Sequence, residues 1–155
     1  MEKRFETFVL SILELNRQMQ RIKALEAQPL GLQANQVMCL YYLGSAREGL
    51  TAAQLTGLCR EDKAAVSRTL AQLVERGLVA CQETPAHKRA YRTLHYLTPQ
   101  GQAMVEQINL RIEQALLRGG NGLSEGQRTA FYEALEIILE NLKEYAQTGG
   151  NSNER

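Results

Sequence analysis

Residues 51–82 read TAAQLTGLCREDKAAVSRTLAQLVERGLVACQ, and this stretch sets the fold class. Thr51 and Gln54 are spaced as a capping box, in which the hydroxyl accepts from the backbone of the glutamine while the amide reaches back. A short helix then runs to about Cys59. Asp62 is a good N-cap for the next helix. That helix carries Val66, Leu70, Leu73 and Val74 inward and stops at Gly77, the residue type favoured just past a helix end. Two capped helices joined by the turn from Cys59 to Asp62 make a helix-turn-helix, expected to pack through Leu55, Leu58, Val66 and Leu70. Leu78 to Gln82 reads as a strand.

Downstream, Thr84 to Ala90 reads as an exposed loop, and Tyr91 to Leu97, rich in Tyr, Thr and Leu, as the returning strand. Thr98-Pro99 opens a long helix, with Thr as cap and Pro at the first helical position. Met104, Val105, Ile108, Ile112 and Leu116 form its apolar set, and Gly119 to Gly122 end it. Ser124 and Gln127 make another capping box, followed by a helix presenting Phe131, Leu135, Ile138, Leu142 and Tyr145 on one side. Upstream, Phe5, Phe8, Val9, Ile12, Leu15, Met19 and Ile22 recur at steps of three and four and predict a helix over 4–27. Pro29 to Gly31 break it. A helix from about Gln33 to Leu43 follows, with Val37, Cys39, Leu40 and Tyr41 inward. The expected fold is mainly α with a small β-hairpin. A winged helix-turn-helix over 32–98 sits between dimerisation helices over 4–27 and 99–147 in a single domain, 1–147, and a frayed tail covers 148–155.

The free side of the second motif helix carries the function. Ala64, Ser67, Arg68, Ala71 and Gln72 share it, with Lys63 at its start and no acid after the cap. Small residues let a backbone approach a groove floor, Arg can fork onto guanine and Gln onto adenine. With Thr51 and the wing residues Lys88, Arg89 and Arg92, these are the candidate contacts to double-stranded DNA. The net charge of +1 excludes a uniformly basic DNA coat, but the charge is segregated. Arg60 to Arg92 holds seven basic and four acidic residues, whereas Ser124 to Arg155 holds three basic and six acidic. Phosphate attraction is the main sequence-independent term in DNA affinity, so the basic middle is where a duplex belongs.

Other classes find little support. There is no Gly-rich phosphate loop, HExxH, GxSxG or Cys–His pair with an orienting acid, so no catalytic residue and no enzyme is expected. Three widely spaced cysteines, Cys39, Cys59 and Cys81, make neither a disulfide framework nor a zinc site and fit a reducing cytosol. His87 and His95 lack partners at ligand spacing, so no metal or cofactor is expected. Cys39 reads as a buried small hydrophobe, and Cys59 at the turn and Cys81 in a strand as structural. A sensor thiol would need nearby positive charge to lower its pKa, and Cys59 beside Arg60 is the one position that offers it. No leader sequence or membrane span is read. The alternatives kept open are a winged-helix module that binds protein and a thiol-based redox regulator.

Leu50 to Leu55, Asp62 to Leu70, Leu73 to Val79 and Leu97 to Gly101 together resemble the MarR family of bacterial transcription regulators. The resemblance implies a homodimer built from the first and last two helices. Phe5, Phe8, Ile12, Phe131, Leu135, Ile138 and Leu142 would lie in its interface. It also implies a recognition helix in the major groove, a wing at the minor groove, and half-sites about 34–36 Å apart on a pseudo-palindrome. Family members often act as repressors released by a small, frequently phenolic effector; Met38, Tyr41 and Tyr42 are the residues here that would line its crevice. The family's Asp-x-Arg at the wing tip is replaced by His87-Lys88-Arg89, and the return strand is about two residues longer. Arg89 is the expected minor-groove residue, with Arg92 its rival. Relatives that sense peroxide carry the reactive cysteine in the first helix, which has none here.

Overall fold

The computed structural model describes residues 2–82 and 93–148, with the side chains of Glu2 and Phe5 left out of the description. The order is α1 (Glu2–Ala27), a 3-10 turn (Gln28–Leu30), α2 (Ala34–Ser45), β1 (Leu50–Thr51), α3 (Ala52–Cys59), α4 (Lys63–Glu75), β2 (Val79–Gln82), β3 (Leu94–Leu97), α5 (Pro99–Gly119) and α6 (Glu125–Thr148). The fold is mostly helical with a small antiparallel sheet, as expected of a winged helix-turn-helix. The tail beyond Thr148 lies outside the described residues.

The chain divides within α5 into two compact units, Met1–Ala115 and Leu116–Arg155. The first has a core of Leu40, Leu55, Val66, Leu73, Leu78 and Ile108, all within 1% of full burial. It draws on α2, α3, α4, the start of β2 and α5, so the helix-turn-helix is welded to the rest of the unit. Burying side chains of this size contributes ~1.5–3 kcal/mol each. Arg111 of α5 and Glu26 of α1 add an ion pair at 2.9 Å.

The expected hairpin is one strand short of what forms. The sheet has three strands in the order β1-β3-β2, with Thr51 opposite Leu94, Leu50 opposite His95 and Val79 opposite Leu97. Two residues are too few to show a strand periodicity, and their partner lies more than forty positions away, so β1 left no local signal. His95 Nδ1 meets the Leu50 carbonyl at 3.3 Å across this added edge. Burial pushes the His95 imidazole below its usual value of 6.5, against the opposing pull of the Leu50 and Thr93 carbonyls. The folded chain thus holds the proton less tightly than the unfolded chain. Its contribution to stability is complete above 6.5 and is lost as pH falls from there towards the lowered folded value. A drop in melting temperature between pH ~7.5 and ~5.5 is expected, shallower in His95→Gln; an equal drop in both proteins would remove His95 as the cause.

Helix ends follow the sequence closely. Gly77 takes φ 69° after α4. Its N–H donates to the Val74 carbonyl at 2.9 Å, and Leu78 N–H donates to Leu73 at 3.0 Å, a Schellman closure. Thr98 Oγ accepts from Gly101 N–H at 3.0 Å and donates to the Gly77 carbonyl at 2.6 Å, so the start of α5 is pinned to the end of α4. Two inward assignments are corrected. Leu58 is 43% and Val74 37% exposed. The buried side of this motif is made by Leu55, Val66, Leu70, Leu73 and the unanticipated Thr69, and Leu58 and Val74 fall outside it.

In the second unit, Ser124 Oγ accepts from Gln127 N–H at 3.3 Å, and Gln127 Oε1 accepts from Ser124 N–H at 2.9 Å. Arg128 Nη2 donates to Gly120 at 2.9 Å and fixes the preceding turn. No residue of α6 is buried.

Candidate nucleic-acid interface

The interface begins with two caps. Thr51 Oγ accepts from Gln54 N–H at 3.2 Å, and Gln54 Oε1 accepts from Thr51 N–H at 2.9 Å. Thr51 Oγ also donates to Gln54 Oε1 at 3.0 Å, so this hydroxyl is engaged within the cap. Asp62 Oδ1 accepts from Ala65 N–H at 2.8 Å and starts α4. Between them Arg60 turns the chain at φ 54°, the only non-glycine in the left-handed region among the described residues. A side chain costs ~1–2 kcal/mol there, which the two caps and the buried leucines hold in place.

Val66, Thr69, Leu70 and Leu73 fix the rotation of α4 by facing inward. The opposite side then displays Lys63, Ala64, Ser67, Arg68 and Ala71, all exposed. No acidic side chain of the described residues is paired with Arg68 or Lys63. The structure therefore brings together the sequence-predicted face at the spacing that helix geometry requires.

A buried polar seam behind that face was not anticipated. Gln36 of α2 is 5% exposed. Its Nε2 donates to Gln72 Oε1 at 3.0 Å, and its Oε1 accepts from Gln33 N–H at 3.0 Å and from Arg76 Nη1 at 3.3 Å. Arg76 Nη1 also donates to the Gly31 carbonyl at 2.9 Å. Asn35 Nδ2 donates to Thr69 Oγ at 2.8 Å. These bonds lock α4 against α2. They engage Arg76 in structure, and they place Gln72 at the rim of the exposed face with its carbonyl turned inward. The only sequence hint is an Asn-Gln pair in the first turn of an otherwise apolar helix.

Lys88, Arg89 and Arg92 of the wing, and the side chain of Phe5, lie outside the described residues. Of the crevice residues, Met38 and Tyr42 line an open cleft of about 400 Å³ with Gln20, Lys23, Cys59 and Arg60. Tyr41 does not line it; its ring packs edge-on against Tyr42 with centroids 5.4 Å apart. No group of three metal-ligating side chains occurs among the described residues, and no helix there is long and apolar enough to cross a membrane.

Residues 30–90 match the model of the MarR family. Through this segment the chain is similar to the MarR family. No curated protein matches the chain. Solved MarR-family structures share its fold along most of its length. A transcriptional regulator from Listeria monocytogenes, complexed with a 26mer DNA, is 21% identical, covers 95% of this chain and 96% of its own, and superposes with a TM-score of 0.76. Staphylococcus aureus MarR, in complex with salicylate and kanamycin, is 19% identical over 92% of this chain and 95% of its own, with a TM-score of 0.77. The oxidised form of MarR from E. coli is 26% identical over 83% of this chain and 90% of its own, with a TM-score of 0.68. The MarR transcription-regulator fold is thus common to all of them.

Proposed function

We propose that this chain is a MarR-type regulator: a homodimeric, sequence-specific binder of double-stranded DNA, acting as a repressor released by a small-molecule effector. The observation that carries the DNA reading is the exposed face of α4, whose single acid, Glu75, stands at its far end, presented on a helix that caps and a polar seam hold rigid. Ala64 and Ala71 give close approach, Lys63 meets phosphate, and Ser67 and Arg68 meet base edges. The MarR-family structure from Listeria monocytogenes is a DNA complex, which supports the same use of this face.

The dimer is argued from area. Phe8, Ile12, Leu15, Met19 and Ile22 of α1 are each 41–49% exposed, and α6 leaves Phe131 at 50% and Leu142 at 53%. Apolar surface of this extent is rarely left open on a monomer. A second copy covers these faces and sets two α4 helices on a pseudo-palindrome. Ile12→Glu puts a charge in that interface, so light scattering is expected to show a monomer while the reduced wild type is a dimer. A variant that remained a dimer would place the interface elsewhere.

The cleft beside Met38 and Tyr42 is the candidate effector site, with an aromatic wall and the cations Lys23 and Arg60 suited to a small aromatic anion. Staphylococcus aureus MarR, crystallised with salicylate, supports that reading.

The deciding experiment is fluorescence anisotropy with a duplex from the protein's own upstream region and a scrambled control at two salt concentrations. Tight, salt-sensitive and sequence-selective binding is expected, because each phosphate contact releases counterions. Weak and equal binding of genome-selected fragments and scrambled duplex would overturn the reading.

A further inference from the structure

Cys39 lies in α2 and Cys59 is the last residue of α3, yet their Sγ atoms are 3.8 Å apart. The two thiols differ in access. Cys39 is 1% exposed within the core, while Cys59 is half-buried and forms part of the wall of the 400 Å³ cleft. Lys23 and Arg60 line that cleft against a single acid, Glu61. A thiol reachable from solvent, with a second directly behind it, is the arrangement that disulfide exchange needs.

We propose that Cys39 and Cys59 are a redox-active dithiol that closes to an intramolecular disulfide by exchange with a small anionic disulfide entering the cleft. A disulfide has an S–S length of ~2.05 Å, so closure asks the two sulfurs to approach by less than ~2 Å from their 3.8 Å separation. In the first step the Cys59 thiolate attacks one sulfur of the incoming RSSR, forming a mixed disulfide and expelling RS⁻. In the second, Cys39 loses its proton and attacks Cys59 Sγ, and the remaining RS⁻ leaves. The two thiol hydrogens and two electrons end on two RSH molecules, and no other oxidant is consumed. The roles follow from the contact between the sulfurs. The hydrogen-bond contact with Cys39 holds the Cys59 thiol below its ordinary range, against burial and the Glu61 charge. The same bond, and then burial, push the Cys39 thiol far up, so it waits as the resolving group. None of this depends on the chain binding DNA.

The test uses the full chain carrying Cys81→Ala, which removes the exposed third thiol, equilibrated with reduced and oxidised glutathione at graded ratios. Both remaining thiols are expected to disappear in one step, with a mass loss of two hydrogens, a Cys39–Cys59 link in the non-reducing digest, and recovery by dithiothreitol. In the same background Cys39→Ser is expected to stop as a glutathione adduct on Cys59, and Cys59→Ser to leave Cys39 unreacted. Cys39→Ala replaces the serine variant if a hydroxyl in the core lowers the helical circular dichroism. A lasting glutathione adduct on the paired protein, a link between chains, or two free thiols at the most oxidising ratio would overturn the proposal.

Discussion

Arg68→Ala is expected to weaken binding to the selected duplex about 5- to 150-fold, while the scrambled duplex loses far less. The side chain stands on the exposed side of α4, one turn from Ala64 and Ala71, and no acid among the described residues neutralises it. A guanidinium forked onto a guanine edge is worth ~1–3 kcal/mol of discrimination, whereas a phosphate contact would cost all sequences alike. The ratio of the two losses is therefore the informative quantity. Equal losses on both duplexes would assign Arg68 to phosphate and shift base reading to Ser67 and the wing. Melting of the variant should match the parent, since Arg68 supports no buried contact.

Gly101→Ala should damage the fold itself. A Cβ at this position overlaps the carbonyl oxygen of Leu78 and crowds the Leu97 side chain. That carbonyl accepts from Thr98 N–H at 3.1 Å, the bond that seats the first turn of α5 on β2. Accommodating the methyl means moving backbone on both sides. Overpacking of this kind costs about 1–3 kcal/mol, a large share of the 5–15 kcal/mol that holds a small domain together. Chemical denaturation should show an earlier midpoint, with the slope preserved. An unchanged midpoint would mean that α5 can lift from β2 without cost. The same variant should bind DNA normally well below its midpoint, which separates loss of fold from loss of recognition.

What the sequence disclosed and what it hid divide by distance along the chain. The caps at Thr51, Asp62, Thr98 and Ser124 and the Gly77 stop act over a few residues, so spacing alone located the helices they bound. The exposed side of α4 was legible because Val66, Leu70 and Leu73 mark its opposite. Tertiary pairings left no such trace. Neither β1 against β3, nor Gln36 against Gln72, nor Cys39 against Cys59 can be read from neighbours in sequence. Leu58 and Val74 show the converse error. Each is an apolar residue at a plausible inward spacing, but a helix this short has a narrow buried stripe, and both fall at its edge.

The bond between Gln36 and Gln72 bears on how forgiving an operator can be. An outward-facing glutamine can specify adenine because it offers a donor and an acceptor side by side. With one lone pair of its oxygen taken by Gln36, Gln72 in the proposed DNA complex would have its NH2 group free but its oxygen turned towards the protein. A free NH2 is satisfied by N7 of either purine, by O6 of guanine or by O4 of thymine, and an oxygen turned inward is poorly placed to accept from the adenine amine as well. All four base-pair orientations present such an acceptor in the major groove, so the information content at that step would fall well below that of a fully read position. The genome then offers more near-cognate addresses, and discrimination among them falls to the remaining contacts, Arg68 foremost.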